Sequence, residues 1–261
     1  MLTENERGEI INLREFCRPN LPEKRVTDVI ISGEYTYIIK ELENLGINAV
    51  TVFPCRYLPY YERYHADMQC SYYERGRVFV STDSSVELGK LSLKIKTEFS
   101  EDKIGTEYPY NTLFNHVVMG SFLICREKYT CTEVKSYCIS KKIRFIDVKQ
   151  GYTKCSAAVV NENAVITADS GIYSACIKNG IDVLMVEQGD VRLYGYGYGF
   201  IGGCCGKISK DILAFTGKLS LHRDFDRIKS FLRNYNIYSL ELSNKPLADV
   251  GSILPVIQKD R

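Results

Sequence analysis

A repeated order of secondary-structure elements restricts the fold of this chain more than any other feature. An apolar strand, an amphipathic helix, a second strand, a polar or glycine-rich loop, a short polar motif and a hairpin follow one another several times. In the first copy, residues 29–31 form the strand, apolar side chains at helical spacing continue to Leu45, and Gly46 ends the helix. We therefore expect a fold built from small, similar units.

The units are expected to divide a single domain that spans residues 1–261. Their approximate boundaries are 26–80, 116–163, 164–210 and 211–257. Residues 81–115 fit none of these copies and are long enough for a degenerate fifth unit or for an insertion. Four recognised units and a possible fifth therefore predict about five modules.

Alternating strands and helices are also typical of a doubly wound sheet. In that fold the chain passes from the second strand directly into another crossover helix. Here a polar motif and a hairpin intervene in each of the first three copies. This repeated detail favours modules arranged radially around an axis.

Composition and charge exclude several classes of function. The net charge of +2, from 34 Lys+Arg and 32 Asp+Glu, lacks the basic excess that binding of a phosphate backbone needs, so no nucleic-acid partner is expected. The longest nearly apolar run, residues 117–125, is too short for a membrane helix of roughly 20 residues, and the first residues are charged where a signal peptide is apolar. We expect a cytoplasmic protein that does not contact a membrane.

The ten cysteines are scattered, without any C-x-x-C pair, and the chain has only three histidines. In a reducing compartment such cysteines serve as core residues or as chemistry rather than as disulfides. The spacing does not favour a structural zinc site, and no metal or cofactor is expected. A phosphate loop at Gly206-Lys207 is excluded because Ile201 and Ile208 stand where the leading glycine and the hydroxyl residue would be.

Two short motifs carry a resemblance to a known family. His65-x-Asp67 and the glycine-rich run 202–205, which contains Cys204 and Cys205, are similar to motifs of the pentein, or guanidino-group-modifying, enzymes. The resemblance implies a pseudo-fivefold α/β-propeller of ββαβ modules around a central channel. It also implies a cysteine nucleophile, a histidine that transfers protons and carboxylates that hold a guanidinium group.

The candidate catalytic residues under this resemblance are His65, Cys155 and Cys205. His65 would be the acid/base, and either cysteine could be the nucleophile. Cys155 lies beside Lys154, whose charge would favour the thiolate, although adjacent strand residues face opposite ways. The alternative for each cysteine is a buried structural role.

Four residues are candidates for substrate binding: Asp67, Lys154, Asp169 and Asp249. The repeat places His65, Asp67, both cysteine candidates and Asp249 at equivalent positions, which should converge on one channel. Asp169 is foremost a helix cap. A second His-x-Asp, His222-x-Asp224, opens a helix and fits the family role less well.

The expected function is a cysteine hydrolase or transferase that acts on a small guanidino or amidino compound. The ligand would be a small molecule that is cationic or bears an amide. The alternative is a catalytically inactive module that binds a small ligand or a protein partner through the same face. The residues 194–200, which alternate Tyr and Gly, could cover the channel as a lid or only form a turn.

Overall fold

A computed structural model describes residues 13–259, which form sixteen strands and six α-helices. The strands are β1 (Arg14–Phe16), β2 (Arg25–Ser32), β3 (Asn48–Val52), β4 (Cys70–Glu74), β5 (Arg77–Val80), β6 (Lys96–Phe99), β7 (Val117–Met119), β8 (Phe122–Cys125), β9 (Arg144–Asp147), β10 (Ala157–Asn161), β11 (Ala164–Thr167), β12 (Asp182–Met185), β13 (Cys205–Lys207), β14 (Ile212–Phe215), β15 (Tyr238–Glu241) and β16 (Leu254–Lys259). The helices are α1 (Thr36–Asn44), α2 (Ala66–Gln69), α3 (Thr132–Ser140), α4 (Thr153–Ser156), α5 (Ser170–Lys178) and α6 (Phe225–Asn234).

The strands form five small sheets that share one plan. We call them sheet A (β1-β16-β2-β3), sheet B (β4-β5-β6), sheet C (β7-β8-β9), sheet D (β10-β11-β12) and sheet E (β13-β14-β15). In sheet D, for example, β10 runs antiparallel to β11 and β11 runs parallel to β12 across helix α5. The same plan recurs in the other sheets, so the expected α/β fold of five small modules is confirmed.

Sheet A joins the two ends of the described chain. Strand β16 lies between β1 and β2 and pairs antiparallel with both, with Leu254 opposite Ile30 and Lys259 opposite Arg25. In this sheet, strand β16 therefore comes from the end of the described range, and β1, β2 and β3 come from its beginning.

Sheet B occupies part of the segment for which the repeat gave no unit. Its parallel strands β5 and β6 are joined through a short 3-10 helix, Leu88–Lys90, where the other sheets use an α-helix. Residues 81–85 are polar, and the apolar residues at 91, 93 and 95 alternate with polar ones, a spacing typical of a strand, so no copy of the helix was recognised there. In sheets B, C, D and E the first strand is the one that precedes the hairpin turn. Sheets D and E therefore begin at Ala157 and Cys205, ahead of the unit starts at 164 and 211 expected from the sequence.

The apolar core lies between the sheets and the helices. Strand β2 is buried along seven of its eight residues, as expected of a strand covered on both faces. Helix α6 packs Ile228, Phe231 and Leu232 against the core, and α1 packs Ile38 and Leu42. Burial of each such side chain contributes roughly 1.5–3 kcal/mol.

Among residues 13–259, the structure contains no helix with the length and apolar character needed to cross a membrane.

Candidate active site

The candidate site is formed where the first strands of all five sheets begin. One residue lies two or three positions ahead of each of these strands: Asp67 before β4, Asn115 before β7, Cys155 before β10, Gly203 before β13 and Ser252 before β16. The Gly203 amide donates to the carbonyl of Cys155 at 2.8 Å, and the Ser252 amide donates to the carbonyl of Gly203 at 3.0 Å. The repeat therefore brings residues that are far apart in sequence into one cluster.

Cys155 lies in the short helix α4 and is 2% exposed. Its thiol donates to Asp67 Oδ2 at 3.1 Å and accepts a hydrogen bond from Asn115 Nδ2 at 3.1 Å. Burial raises the pKa of this thiol well above its ordinary value, and the charges of Asp67 and Asp249 raise it further, while the bond from Asn115 opposes them. The sulfur therefore rests as a neutral thiol.

His65 faces the same place from the residue ahead of α2. Its Nδ1 lies 4.0 Å from Asp249 Oδ1, and its Nε2 has no hydrogen-bond partner within the described range. One ligand-type atom from each of His65, Asp67 and Cys155 lies within 4.8 Å of the others. The imidazole of His65, the carboxylate of Asp67 and the thiol of Cys155 are therefore neighbours, and we call these three residues the trio.

Asp249 is fully buried beside this trio. Its Oδ2 accepts from the Phe200 amide at 2.9 Å and its Oδ1 accepts from the Gly251 amide at 3.1 Å. Burial raises the pKa of Asp249, the charge of His65 lowers it and that of Asp67 raises it. A Cβ on Gly203 would overlap the carboxylate of Asp249, so the glycine is needed for this close approach.

Ser252 forms a hydrogen bond with Asp67 and another with Lys154, so the serine links the lysine to the carboxylate. The Ser252 hydroxyl donates to Asp67 Oδ2 at 2.6 Å and accepts from Lys154 Nζ at 2.9 Å. Asp67 Oδ1 has no partner among residues 13–259. Asp67 and Lys154 line a separate cavity of about 20 Å³ together with His116, where a single water would fit.

A larger cavity of about 200 Å³ opens onto the cluster. Its lining residues are Glu62, His65, Tyr152, Cys155, Leu193, Tyr196, Gly197, Tyr198, Phe200 and Asp249. Residues 194–200 thus form part of the wall. The sulfur and the imidazole therefore face a small pocket whose ten lining residues include three tyrosines and one phenylalanine.

Four candidates from the sequence do not line this cavity: Asp67 and Lys154 line the 20 Å³ cavity, and Cys205 and Asp169 line neither. The Cys205 thiol donates to the carbonyl of Ile201 at 3.3 Å and packs in the apolar core with Phe215, and burial raises its pKa to about 12. Asp169 caps α5, because its Oδ1 accepts from the Ile172 amide at 2.8 Å. Neither side chain faces the trio, since Gly203 occupies the inward position of the glycine-rich turn.

The second His-x-Asp motif is part of a helix terminus. The Asp224 amide donates to His222 Nδ1 at 3.1 Å, and the Asp224 carboxylate accepts from the Glu187 amide at 2.7 Å and pairs with Arg227. It does not line the 200 Å³ cavity.

Sequence reasoning missed several residues of the site. Asn115 and Ser252 stand at the repeat position that Cys155 occupies, so an alignment of the five strand starts would have found them. Glu62 and Tyr152 lie in loops, where no repeat signal exists, whereas Tyr196 belongs to the stretch 194–200, whose alternating Tyr and Gly had suggested a lid or a turn. Their contacts span as many as 134 residues, as between Tyr196 and Glu62.

Within the described residues 13–259, two clusters offer ligand atoms at a spacing that a metal ion could use. They are His65, Asp67 and Cys155 at the cavity, and Asp102, Cys131 and Glu133 near the start of α3. In the second cluster Asp102 and Glu133 already accept backbone hydrogen bonds, from Thr132 and Glu101.

Comparison with known families covers most of the chain. The model of a family of unknown function, DUF6873, matches residues 30–254. The chain belongs to the DUF6873 family. No curated protein matches this DUF6873 chain.

Solved structures of two enzymes share the fold of this DUF6873 protein. The inosamine-phosphate amidinotransferase of Streptomyces griseus is 9% identical with a TM-score of 0.55, over 89% of this chain and 91% of that one. A cysteine-to-serine variant of the agmatine deiminase of C. jejuni, with substrate bound, is 10% identical with a TM-score of 0.51, over 95% and 96%. The DUF6873 chain therefore has the pentein fold, as its motifs predicted.

Proposed function

We propose that this protein is a cysteine-dependent hydrolase or amidinotransferase that acts on the guanidino or amidino group of a small molecule. The observation that carries the proposal is that ligand-type atoms of Cys155, His65 and Asp67 lie within 4.8 Å of one another, and that Cys155 and His65 line a 200 Å³ cavity. The two enzymes that share the fold are named for reactions of this kind.

In this proposal the two buried carboxylates hold the planar cation. Asp67 Oδ1 is without a partner in the described chain, and Asp249 lies beside His65. A guanidinium group with several N–H donors is best held by carboxylate oxygens. Lys154 positions Asp67 through Ser252, and we assign no role to Cys205 or Asp169.

The reaction would proceed through a covalent intermediate. The Cys155 sulfur forms a bond to the amidine carbon as the thiol proton passes to His65, and the bond from that carbon to the leaving amine breaks as His65 returns the proton to the amine. His65 then takes a proton from water, or from an acceptor amine, whose oxygen or nitrogen attacks the same carbon. The carbon–sulfur bond breaks, and the sulfur recovers its proton from His65.

The substrate itself would activate the thiol. Burial and the charges of two carboxylates raise the pKa of Cys155. A cation placed between Asp67 and Asp249 offsets these negative charges and favours the thiolate. The enzyme would therefore be reactive only with a cationic ligand in place.

The high pKa of the Cys155 thiol also favours a second candidate, a catalytically inactive module that binds a cationic ligand in the same cavity. Its partner would then be a small molecule, and the thiol would only donate to Asp67. For either function we propose a cytoplasmic location, because all ten cysteines are free and buried.

Labelling with 2-chloroacetamidine separates the two functions. The enzyme proposal expects a single adduct on Cys155, found by peptide mass spectrometry, that is absent in Cys155→Ala and unchanged in the buried-cysteine control Cys205→Ala. The adduct should form at least tenfold faster than one from 2-chloroacetamide, which carries no charge to hold between the carboxylates. Equal rates for the two reagents, or no adduct on Cys155, would contradict a guanidino-directed thiolate and leave the binding module.

A further inference from the structure

The trio His65, Asp67 and Cys155 carries polar atoms that the fold itself does not pair. Each of the three side chains belongs to a residue that is at most 3% exposed. His65 Nε2 and Asp67 Oδ1 are buried and have no hydrogen-bond partner within residues 13–259. An unpaired buried polar atom costs free energy, and native folds leave few of them. Two such atoms on neighbouring residues therefore indicate that a further group binds at the trio.

The ligand atoms of the trio are those that Zn²⁺ prefers. Imidazole nitrogen, thiolate sulfur and carboxylate oxygen all bind zinc, whereas Mg²⁺ and Ca²⁺ take oxygen ligands. A zinc site with three protein ligands keeps a fourth position for water. His65 and Cys155 line the 200 Å³ cavity, which gives water access to that position.

The distances within the trio are close to those of a tetrahedral zinc site. Asp67 Oδ2 lies 3.1 Å from Cys155 Sγ, and one ligand-type atom of each residue lies within 4.8 Å of the others. Zinc–ligand bonds of roughly 2.0–2.3 Å set the ligand atoms about 3.3–3.8 Å apart, so side-chain movements of about 1 Å would complete the site. Asp67 and Cys155 are 88 residues apart in sequence, which explains why no ligand spacing was visible there.

Polar neighbours of the trio would hold the ligands around an ion. Asp249 Oδ1 lies 4.0 Å from His65 Nδ1, which leaves Nε2 for a ligand. The Ser252 hydroxyl donates to Asp67 Oδ2 at 2.6 Å. In metal sites the bound histidines and carboxylates are oriented by outer partners of this kind.

The charges around the trio also favour a doubly charged cation. Asp67, Asp249 and a Cys155 thiolate would bury three negative charges together. Lys154, which reaches Asp67 through Ser252, offsets one of them. The two charges of Zn²⁺ would balance the rest, and such balance is needed when charges are buried.

The other cluster with ligand spacing, Asp102, Cys131 and Glu133, lacks these features. Glu133 Oε2 accepts from the Cys131 thiol at 2.8 Å, and Glu133 Oε1 accepts from the Glu101 amide at 2.7 Å. Among the described residues, none of its side-chain oxygens is buried without a partner. This second cluster is therefore a matched control for the trio.

We propose that the trio is a zinc site, in which a ring nitrogen of His65, a carboxylate oxygen of Asp67 and the sulfur of Cys155 bind Zn²⁺ and a water takes the fourth position. As the zinc–sulfur bond forms, the Cys155 thiol loses its proton to the solvent. The bound ion occupies the sulfur and the imidazole that the proposed reaction needs, so zinc keeps the protein inactive until the ion is removed. The site goes beyond the proposed function and holds equally for an enzyme and for a binding module.

The test titrates Co²⁺, as a spectroscopic substitute for Zn²⁺, into the full chain after a chelator has removed other metals. Cobalt bound by a thiolate has a charge-transfer band in the near ultraviolet, which reports a cysteine ligand directly. We expect a band that Zn²⁺ abolishes, that is lost in Cys155→Ala and that remains in Cys131→Ala. The affinity for Zn²⁺, measured by competition with a chromophoric chelator, should fall roughly a hundredfold in His65→Gln and in Asp67→Asn. Thermal unfolding of each variant checks that it is folded.

A second measurement uses the natural protein and needs no variant. Saturating Zn²⁺ should slow the alkylation of Cys155 by iodoacetamide at least about tenfold, because the metal-bound sulfur is no longer free to react. Addition of EDTA should restore the rate. Mg²⁺, which prefers oxygen ligands, is the control ion and should not change it.

Three outcomes would overturn the zinc site. The first is a cobalt band that is lost in Cys131→Ala and retained in Cys155→Ala, which would assign the metal to the second cluster. The second is an unchanged affinity for Zn²⁺ in both His65→Gln and Asp67→Asn, which would mean that the cysteine binds without them. The third is the absence of both the band and the protection by Zn²⁺. The proposed reaction is tested separately, because labelling by 2-chloroacetamidine uses the metal-free protein.

Discussion

The turn before strand β10 carries Cys155 and the glycine-rich turn leads into Cys205 at the start of β13, yet only the Cys155 sulfur faces the cavity. The thiol of Cys155 contacts Asp67 and Asn115, which come from other sheets. The thiol of Cys205 contacts the carbonyls of Ile201 and Gly202, in the glycine-rich turn just before it. Burial raises the pKa of both thiols, so burial alone does not distinguish a reactive cysteine from a packed one.

The two turns are also held in different ways. Side-chain oxygen Oδ1 of Asn115 accepts from the amides of Lys154 and Cys155 at 2.7 and 3.2 Å. The glycine-rich turn is held by backbone bonds through Gly203, and its lack of side chains lets Asp249 approach. The glycine-rich run therefore lies beside Asp249 at the site, but in our proposal the nucleophile is Cys155, outside that run.

Gly202→Ala should have the largest effect of the changes that test this difference. A Cβ at Gly202 would lie 2.6 Å from the carbonyl oxygen of Ala157 and closer still to that of Lys154, and neither backbone can move freely. We expect a loss of about 3 kcal/mol in the free energy of unfolding, measured by urea denaturation. Gly89→Ala, whose Cβ would meet nothing within 4 Å, is the control and should stay within about 0.5 kcal/mol. An unchanged unfolding energy for Gly202→Ala would show that the turns do not need this close approach.

Asn115→Ala should have the next largest effect, because it removes the side chain that holds the turn of Cys155. Two backbone amides lose their acceptor, which should cost about 2 kcal/mol of unfolding free energy. The thiol also loses the bond that opposes its high pKa, so labelling of Cys155 by 2-chloroacetamidine should slow. The exposed Asn44→Ala should change neither quantity. Faster labelling in Asn115→Ala would mean that Asn115 restrains the sulfur instead of favouring the thiolate.

Much of the fold was visible in the sequence because strands and helices leave local patterns. The apolar strand and helix of sheet D repeat the pattern of sheet A, and both were recognised. Of sheet B only the hairpin within residues 26–80 was recognised, because its connection over residues 81–95 lacks the α-helix that the pattern requires. A repeat can be detected only where each copy keeps its periodicity.

The site was visible only in part, for a related reason. His65-x-Asp67 is a local motif, and Cys155 follows from the repeat. The direction of a side chain in a turn depends on contacts with other sheets, so the sequence could not choose between Cys155 and Cys205. Glu62 is bound by residues as distant as Tyr196, and no local pattern reports such a contact.

The smallest expected effect is a difference in the alkylation rates of the two thiols. A raised pKa leaves a thiol more protonated at a given pH, so at pH 8 both cysteines should react with iodoacetamide more slowly than free cysteine. Since the raised pKa values lie above this range, the rate should rise about tenfold per pH unit from pH 7 to 9 without reaching a plateau. Peptide mass spectrometry assigns the reaction to each residue.

Cys155 should still be alkylated several-fold faster than Cys205, because only Cys155 lines the cavity through which a reagent can reach it. Cys155→Ala removes the faster phase, and Cys205→Ala leaves it intact. A plateau below pH 9 for Cys155 would mean that its thiolate is stabilised without a bound cation, and the substrate would then not be needed to activate it. Equal rates for the two cysteines would mean that reagents reach both by opening of the fold, and the contrast between the two turns would carry no chemical consequence.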